Sequence, residues 1–257
     1  MVKKYIKFFG SRNGCKMNDQ KYYLQYLPND NEITTVVEGY GGSFSLIRCH
    51  YYKTDKVLHV NDNDKQLIDK LLLLKDYDKT KLLCVIDEYN KSINPNYALK
   101  YDLSDKIPDD DIRFTIMDGY KFRGNLYKKS PFKEEDITRF QDLLKRCIIT
   151  NKDISEIMNQ YKDNEDVFLF LDPPYLNSDN TQYKGQTKYT AGKKLSDNTE
   201  QYINVLEFLK VAKCKVMAII NKTAITSYLY KDFIKGEYNK IYQASKNIAT
   251  HLIICNY

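Results

Sequence analysis

The sequence has no apolar run long enough to cross a bilayer, and it contains no tryptophan. Its longest apolar runs, such as VFLFL at 167–171 and VMAII at 216–220, are far shorter than the roughly 20 residues that a membrane-spanning helix needs. The N-terminal stretch MVKKYIKFFGSRNG lacks the apolar segment of a secretory signal. These absences predict a soluble, intracellular protein of the cytoplasm.

Metal-binding and redox motifs are missing as well. The six cysteines include no CxxC pair, which argues against a zinc knuckle or a dithiol redox motif. The three histidines, His50, His59 and His251, show no metal-ligand spacing. We therefore predict buried thiols in a reducing compartment, no metal site, and a structural role for His59, which alternates within a predicted strand.

What the sequence does contain is an alternation of strand and helix patterns over most of its length. Hydrophobic residues make up 42% of the chain, which is enough for a buried core. Predicted strands lie at 32–38, 56–64, 147–150, 167–171, 214–220, 239–245 and 251–257, and predicted helices at 66–74, 134–146, 154–161, 199–212 and 225–233. This alternation indicates an α/β fold with a mostly parallel sheet covered on both faces, and an antiparallel C-terminal hairpin at one edge.

Two kinds of segment interrupt the alternation. Residues 76–118 are acidic and irregular, whereas residues 119–133 carry five basic residues, four aromatic residues and no acid. The stretch 180–194 holds four lysines, two tyrosines and no acid. Basic and aromatic side chains suit contacts with phosphates and bases, although a solvated basic loop is the simpler interpretation of either stretch alone. The net charge of +6 is compatible with an anionic partner.

Three predicted strand ends carry residues suited to ligand binding, because ligands of open α/β sheets bind beyond the carboxyl ends of the strands. VVEGYGGSFS (36–45) places three glycines at 39–42, which suits either a ligand loop or a simple turn. Asp62 in VNDND (60–64) suits either a ribose contact or a helix N-cap. LDPPY (171–175) ends a continuous apolar strand with an acid and two prolines, which mark the end of the strand and stiffen the turn.

LDPPY resembles the catalytic motif of S-adenosylmethionine-dependent methyltransferases that act on the exocyclic amine of adenine, and the chain is most similar to the Dam-type DNA adenine methyltransferases. The similarity extends to the segment with glycines at 39–42, which we call the glycine loop, and to four other stretches. These are YIKFFGSRNGCK (5–16), NDNDKQLI (61–68), TNKDISEIM (150–158) and the ending LIICNY. It implies a Rossmann-like class I methyltransferase fold. In that fold, residues 1–74 and 134–257 would form the catalytic domain and residues 75–133 an inserted target recognition domain.

The resemblance also implies roles by position. Asp172 and the Pro173 carbonyl would hold the target amine, Pro174 would complete the motif, and Tyr175 would stack on the target base. Asp62 would bind the cofactor ribose and Asp153 the amine of its adenine ring. The residues implied in cofactor binding are Lys7, Phe8, Gly10, Arg12, Glu38, Tyr40, Gly41, Gly42, Asp62, Asp153, Ile154 and Asp172. Those implied in DNA binding are Lys121, Arg123, Tyr127, Lys128, Lys129, Lys184 and Lys188.

The implied chemistry needs no metal. The 6-amino group of adenine is a poor nucleophile, and two acceptors that grip its hydrogens favour a pyramidal nitrogen, so positioning and electrostatics supply most of the catalysis. The base must leave the duplex to reach such a pocket, where an aromatic side chain is the usual platform. The resemblance thus predicts a site-specific DNA adenine-N6 methyltransferase of a restriction–modification system or a viral genome. Its predicted partner is double-stranded DNA, and a cognate restriction endonuclease is a candidate second partner.

Two other interpretations remain open at this point. One is an adenine methyltransferase that acts on RNA, and the other is a catalytically impaired DNA-binding protein of the same fold. A methyltransferase for side-chain amides is disfavoured, because such enzymes usually begin the motif with Asn and this chain has Asp172. The sequence departs from the family with Ser11 and Arg12 in the N-terminal motif, Gly39 in place of a proline, and Phe44 at a common glycine position. Phe44 would either narrow the cofactor pocket or pack into the core.

Overall fold

A computed structural model of the chain describes residues 21–94 apart from residue 43, residues 96 and 98, and residues 121–122, 125–126, 134–174, 195–241 and 248–257. Its main feature is a seven-stranded sheet with the order β5-β2-β1-β6-β7-β9-β8. The strands are β1 (Thr35–Glu38), β2 (Val57–Asn61), β5 (Cys147–Thr150), β6 (Val167–Leu171), β7 (Lys215–Asn221), β8 (Ile234–Ile241) and β9 (Ile248–Cys255). A separate two-stranded hairpin joins β3 (Lys121–Phe122) to β4 (Asn125–Leu126).

The first five strands of the sheet are parallel, and β9 runs antiparallel between β7 and β8. This arrangement confirms the predicted Rossmann-like fold with an antiparallel hairpin at its C-terminal edge. All five residues of β6 are buried, as expected for a central parallel strand with both faces covered. Phe168 and Phe170 pack into one core cluster, and Leu169 and Leu171 into the other. The continuous apolar run is therefore a consequence of two-sided burial.

Six α-helices are described: α1 (Lys65–Asp76), α2 (Lys79–Ile93), α3 (Glu134–Arg146), α4 (Ile154–Tyr161), α5 (Leu195–Val211) and α6 (Ala224–Leu229). Side-chain oxygens that accept backbone N–H bonds mark four of their starts, at Asp64, Asp78, Asp153 and Thr223. Helices α1, α2 and α3 contribute to the core cluster on one face of the sheet, and α4 and α5 to the cluster on the other. None of these helices is both long and apolar enough to cross a membrane.

The expectation of an irregular segment from residue 76 is wrong over Lys79–Ile93. Those residues form α2, which Asp78 caps through a 2.9 Å bond from the Lys81 amide. Leu82, Val85 and Ile86 are at most 3% exposed and belong to the main core cluster. Three lysines, one aspartate and one glutamate within the helix concealed this apolar face. We propose that the inserted domain begins after α2, and that residues 75–93 belong to the packing of the larger domain.

Candidate active site at the carboxyl edge of the sheet

The carboxyl ends of the five parallel strands meet at one edge of the sheet, which we call the carboxyl edge. The strand order reverses there between β1 and β6, because the chain continues from β1 to β2 on one side and from β6 to β7 on the other. Open α/β sheets bind ligands in the crevice outside such a switch point. The segments that follow β1, β2, β5 and β6 therefore form the candidate site.

The end of β6 brings Asp172 to the carboxyl edge. Asp172 is partly exposed, directly after five buried residues, and Pro173 is buried again. The Gly39 amide donates to the Phe170 carbonyl at 3.0 Å, so the loop after β1 begins beside the end of β6. The predicted catalytic residues Asp172 and Pro173 thus adjoin the glycine loop.

Two buried side chains that the sequence did not single out lie within the electrostatic influence of Asp172. Burial raises the pKa of Tyr23 well above its usual value of 10, and Tyr238, Glu38 and Asp172 raise it further. Burial lowers the pKa of His251 to about 4, and Lys240 adds to this decrease while Asp172 opposes it. Tyr23 precedes the first strand and His251 lies on β9. No local pattern connects either residue to the DPPY motif.

The glycine loop depends on its glycines for close packing. A Cβ atom on Gly41 would lie 2.7 Å from Val60 Cγ1 and 2.8 Å from the Asn61 carbonyl oxygen, which accepts a 2.6 Å bond from the Gly41 amide. A Cβ atom on Gly39 would lie 2.6 Å from Ile154 Cδ1. Gly42 has a φ of +47°, a conformation that favours glycine. The backbone after β1 is therefore held tightly against the ends of β2 and α4.

Glu38, an implied cofactor ligand, is the last residue of β1 and is 2% exposed. Its Oε1 accepts from the Leu46 amide at 2.9 Å and its Oε2 from the Ile47 amide at 3.3 Å. These amides belong to the helical segment that continues as a π-helical turn over Ile47–Tyr51. The carboxylate thus fixes the segment that follows the glycine loop.

Phe44 packs into the core. It is 0% exposed, and its ring stacks on Phe140 of α3 with a centroid distance of 5.7 Å. Its φ of 32° is unusual for a residue with a side chain. Its amide donates to the Gly41 carbonyl at 2.5 Å, which closes the loop. Of the two alternatives for this position, core packing is the one observed.

Asp62 follows β2 and contacts the glycine loop from the neighbouring strand. Its Oδ2 accepts from the Gly42 amide at 2.7 Å, and its Oδ1 accepts from the Asp64 amide at 2.9 Å. The N-cap of α1 is Asp64, two residues later, so Asp62 is not the helix cap. Burial raises the pKa of Asp64, and the neighbouring charge of Asp62 adds to this effect. Asp62 remains partly exposed at the carboxyl edge.

Asp153 and Ile154 follow β5. Asp153 is exposed and caps α4, where its Oδ1 accepts from the Ser155 amide at 2.9 Å and Glu156 completes a capping box. Burial raises the pKa of Tyr40 well above its usual value, and the charge of Asp153 raises it further. Because a Cβ atom on Gly39 would lie 2.6 Å from Ile154 Cδ1, the segments that carry Tyr40 and Ile154 pack against each other.

Asn61, the last residue of β2, connects these segments, although the sequence assigned it no role. It is 1% exposed. Its Nδ2 donates to the Gly39 carbonyl at 3.1 Å and to the Lys152 carbonyl at 3.0 Å. Its Oδ1 accepts from Thr150 Oγ1 at 2.8 Å and from the Lys152 amide at 3.0 Å. Its place at the start of NDNDKQLI, directly before Asp62, was the available signal.

Several predicted site residues lie outside the described part of the chain. They are Lys7, Phe8, Gly10, Arg12, Arg123, Tyr127, Lys128, Lys129, Tyr175, Lys184 and Lys188. Lys121 is described only as part of the backbone of β3. Within the described residues, no group of three or more His, Cys, Asp or Glu side chains could hold a metal ion.

Comparisons with known proteins identify relatives of this chain. A family model described as "D12 class N6 adenine-specific DNA methyltransferase" matches residues 113–247. The chain is also 26% identical to the type II methyltransferase M.CviBI of Paramecium bursaria Chlorella virus NC1A, in an alignment over 272 residues. That alignment covers 95% of this chain and 97% of the viral protein.

Proposed function

Because the chain belongs to the D12 class N6 adenine-specific DNA methyltransferase family, we propose that it transfers a methyl group from S-adenosylmethionine to the 6-amino group of adenine at a specific site in DNA. DNA adenine methylation is the activity of the family. The methyl donor and the roles of individual residues are our proposal. The observation that carries it is the position of Asp172 and Pro173 beside the glycine loop at the switch point of the sheet.

The residues at the carboxyl edge fit the proposed cofactor. Gly41 and Gly39 leave no room for a Cβ atom, so the loop backbone lies close against the neighbouring strand ends. The carboxylates of Asp62 and Asp153 follow β2 and β5, on the same side of the switch point. Carboxylates accept hydrogen bonds from ribose hydroxyls and from an adenine amine. S-adenosylmethionine would supply an electrophilic methyl group on its sulfonium sulfur.

The catalytic role falls to the end of β6. The Asp172 carboxylate and the Pro173 carbonyl each would accept one hydrogen of the target amine, which frees the nitrogen lone pair. The amine nitrogen would gain the methyl group as the bond from sulfur to that carbon breaks, and one amine proton would leave to solvent. The ring of buried Pro173 fixes its own φ, and Pro174 restricts the ψ of Pro173, so the two prolines limit the direction of that carbonyl. Preorganised acceptors of this kind act mainly through positioning and electrostatics.

The test is transfer of labelled methyl groups from S-adenosylmethionine to duplex DNA. Asp172→Ala should lower kcat on the order of 10²-fold or more, as expected for loss of a group that positions the nucleophile. Asp166→Ala is the matched control, because Asp166 is exposed and lies immediately before the amino end of β6. Activity should be retained in the control. Equal activity of Asp172→Ala and the natural protein would refute the catalytic assignment.

Two further arms separate the other interpretations. Transfer to structured RNA in preference to duplex DNA would identify an RNA methyltransferase. Calorimetry that detects no S-adenosylmethionine binding, together with retained DNA binding, would identify a non-catalytic DNA-binding protein. The similarity to a type II methyltransferase supports a cognate restriction endonuclease as partner. If DNA from cells that express the protein resists an endonuclease that cuts the same site in unmethylated DNA, the methylation is protective, as a restriction–modification pair requires.

A further inference from the structure

The Asn61 side chain uses every hydrogen-bonding position that an amide offers. An amide carries two N–H donors and an oxygen with two acceptor positions. Nδ2 of Asn61 donates to the carbonyls of Gly39 and Lys152, and Oδ1 accepts from Thr150 Oγ1 and the Lys152 amide. The residue is 1% exposed. If the amide were rotated by half a turn, its oxygen would face the carbonyl oxygens of Gly39 and Lys152. Only one orientation of the amide therefore makes all four hydrogen bonds.

These four bonds join three chain segments that are distant in sequence. Gly39 lies 22 residues before Asn61, and Lys152 lies 91 residues after it. The Gly39 segment continues into Tyr40 and Gly41, and the Lys152 segment continues into Asp153. Asn61 itself precedes Asp62. Each segment thus leads directly into a residue that the proposed function assigns to the cofactor.

A chain of hydrogen bonds supports Asn61 from behind. Thr150 Oγ1 donates to Asn61 Oδ1, so it accepts from His59 Nε2, which lies 2.7 Å away. His59 Nδ1 is then the acceptor for the Tyr161 hydroxyl at 2.8 Å. His59 and Tyr161 are both buried. The chain fixes the Thr150 hydroxyl toward Asn61 and connects β2, β5 and α4.

We propose that Asn61 is a positioning residue for the cofactor site, which holds the segments after β1 and β5 in register with Asp62. The inference rests on the proposed function, since it requires that these segments bind S-adenosylmethionine. Asn61 acts through the Gly39 and Lys152 backbones rather than by contact with the cofactor. Its loss therefore changes the affinity for the cofactor and leaves the grip on the target amine at Asp172 in place.

The experiment compares Asn61→Ala, Asn61→Asp and a matched control. Asn61→Asp keeps the acceptor for Thr150 and Lys152 but sets an oxygen against the Gly39 and Lys152 carbonyls. Both variants should raise the calorimetric Kd and the KM for S-adenosylmethionine by about tenfold or more, since Asn61→Asp loses two of the four bonds and Asn61→Ala loses all four. At saturating cofactor, kcat and the KM for DNA should change less than about threefold. Asn159→Ala, an exposed position on α4, should match the natural protein.

The outcomes distinguish the two proposals. If the natural protein neither binds S-adenosylmethionine nor transfers methyl groups, the proposed function fails. If the natural protein does both and Asn61→Ala keeps its Kd within twofold, the positioning role is overturned. A loss of kcat with an unchanged KM for the cofactor also overturns it, because a fraction of unfolded protein produces that pattern. If Asn61→Ala does not fold, Thr150→Val replaces it, because that variant removes one hydrogen bond to Asn61. A raised KM for S-adenosylmethionine with an unchanged kcat would then support the positioning role, and an unchanged KM would overturn it.

Discussion

At Gly41 a single methyl group would collide with the backbone of the neighbouring strand. The Asn61 carbonyl lies 2.8 Å from the position of that methyl group, and a backbone atom cannot turn aside as a side chain can. We predict that Gly41→Ala lowers the free energy of unfolding by about 1–3 kcal/mol and weakens S-adenosylmethionine binding. Chemical denaturation and calorimetry measure the two effects.

Gly42→Ala is the control for this substitution. A Cβ atom there meets nothing within 4 Å, and only the φ of +47° is unfavourable, which costs about 1–2 kcal/mol. Its effect on cofactor binding should be smaller than that of Gly41→Ala. Equal losses of cofactor affinity in the two variants would contradict the packing argument at Gly41.

His59 couples the stability of the fold to pH. Burial lowers its pKa to about 4, and the positive charge of Lys152 adds to this decrease. As the pH decreases, His59 of the unfolded chain therefore binds a proton near pH 6.5, whereas His59 of the folded protein binds one only near pH 4. The contribution of His59 to the free energy of unfolding is complete above pH 6.5. It falls by at most about 1.4 kcal/mol per pH unit as the pH decreases through this window.

The variant His59→Gln isolates this effect. Between pH 7 and pH 5 its free energy of unfolding should decrease less steeply than that of the natural protein, so the difference between the two proteins narrows as the pH falls. The pKa of His251 is lowered to a similar value. Because His251 affects the pH dependence of both proteins equally, its contribution cancels in the difference between their free energies of unfolding. Denaturant titrations at several pH values measure the difference. A constant difference across the range would show that His59 is not responsible.

At the scale of elements, the sequence predicted best where strong periodicity coincides with a clear boundary. Helix α3, strand β5, helix α4 and strand β6 have the predicted bounds, because apolar residues recur at one spacing and then change to another. Helix α2 was missed since charged residues surround its apolar face. Its burial depends on the core cluster that it shares with α1 and α3, and that contact is tertiary.

The two possible limits of the inserted domain predict different deletion phenotypes. Replacement of residues 75–133 by a flexible linker removes α2 and the buried side chains of Leu82, Val85 and Ile86. Each such loss costs about 2–5 kcal/mol, so this variant should not fold cooperatively. Replacement of residues 95–133 alone keeps α2 and should retain a cooperative unfolding transition and cofactor binding, with loss of site-specific DNA methylation. Cooperative folding of both variants would place α2 in the insertion.

For the molecule as a whole, local motifs located the carboxyl edge but not the network that organises it. Asp172, Asp62 and the glycines could be predicted because each directly follows a strand, where α/β proteins bind ligands. Asn61 could not, because its partners lie 22 and 91 residues away in sequence. Phe44 had two possible environments, and only its contact with Phe140 decides between them. Tyr23 and His251 are far from Asp172 in the sequence, and its charge affects the pKa of each only in the folded protein.

Electrostatic attraction of DNA is also a property of the whole molecule, which has a net charge of +6. If Lys184 and Lys188 neutralise phosphates, as the sequence predicts, each lost contact lowers the slope of log affinity against log salt by about 0.9. The double variant Lys184→Ala/Lys188→Ala should reduce this slope by about 2. It should also weaken the binding of specific and of non-specific DNA to a similar extent. Its affinity for S-adenosylmethionine should not change.

The matched control for charge is Lys210→Ala/Lys213→Ala. Lys210 is near the end of α5 and Lys213 shortly before β7, at the edge of the sheet opposite Asp172, where they pair with Glu207 and Asp163. The control removes the same two charges, so a slope equal to that of the natural protein would assign DNA contact to residues 184 and 188. If both double variants lower the slope equally, net charge alone explains the attraction, and the stretch 180–194 is a solvated loop.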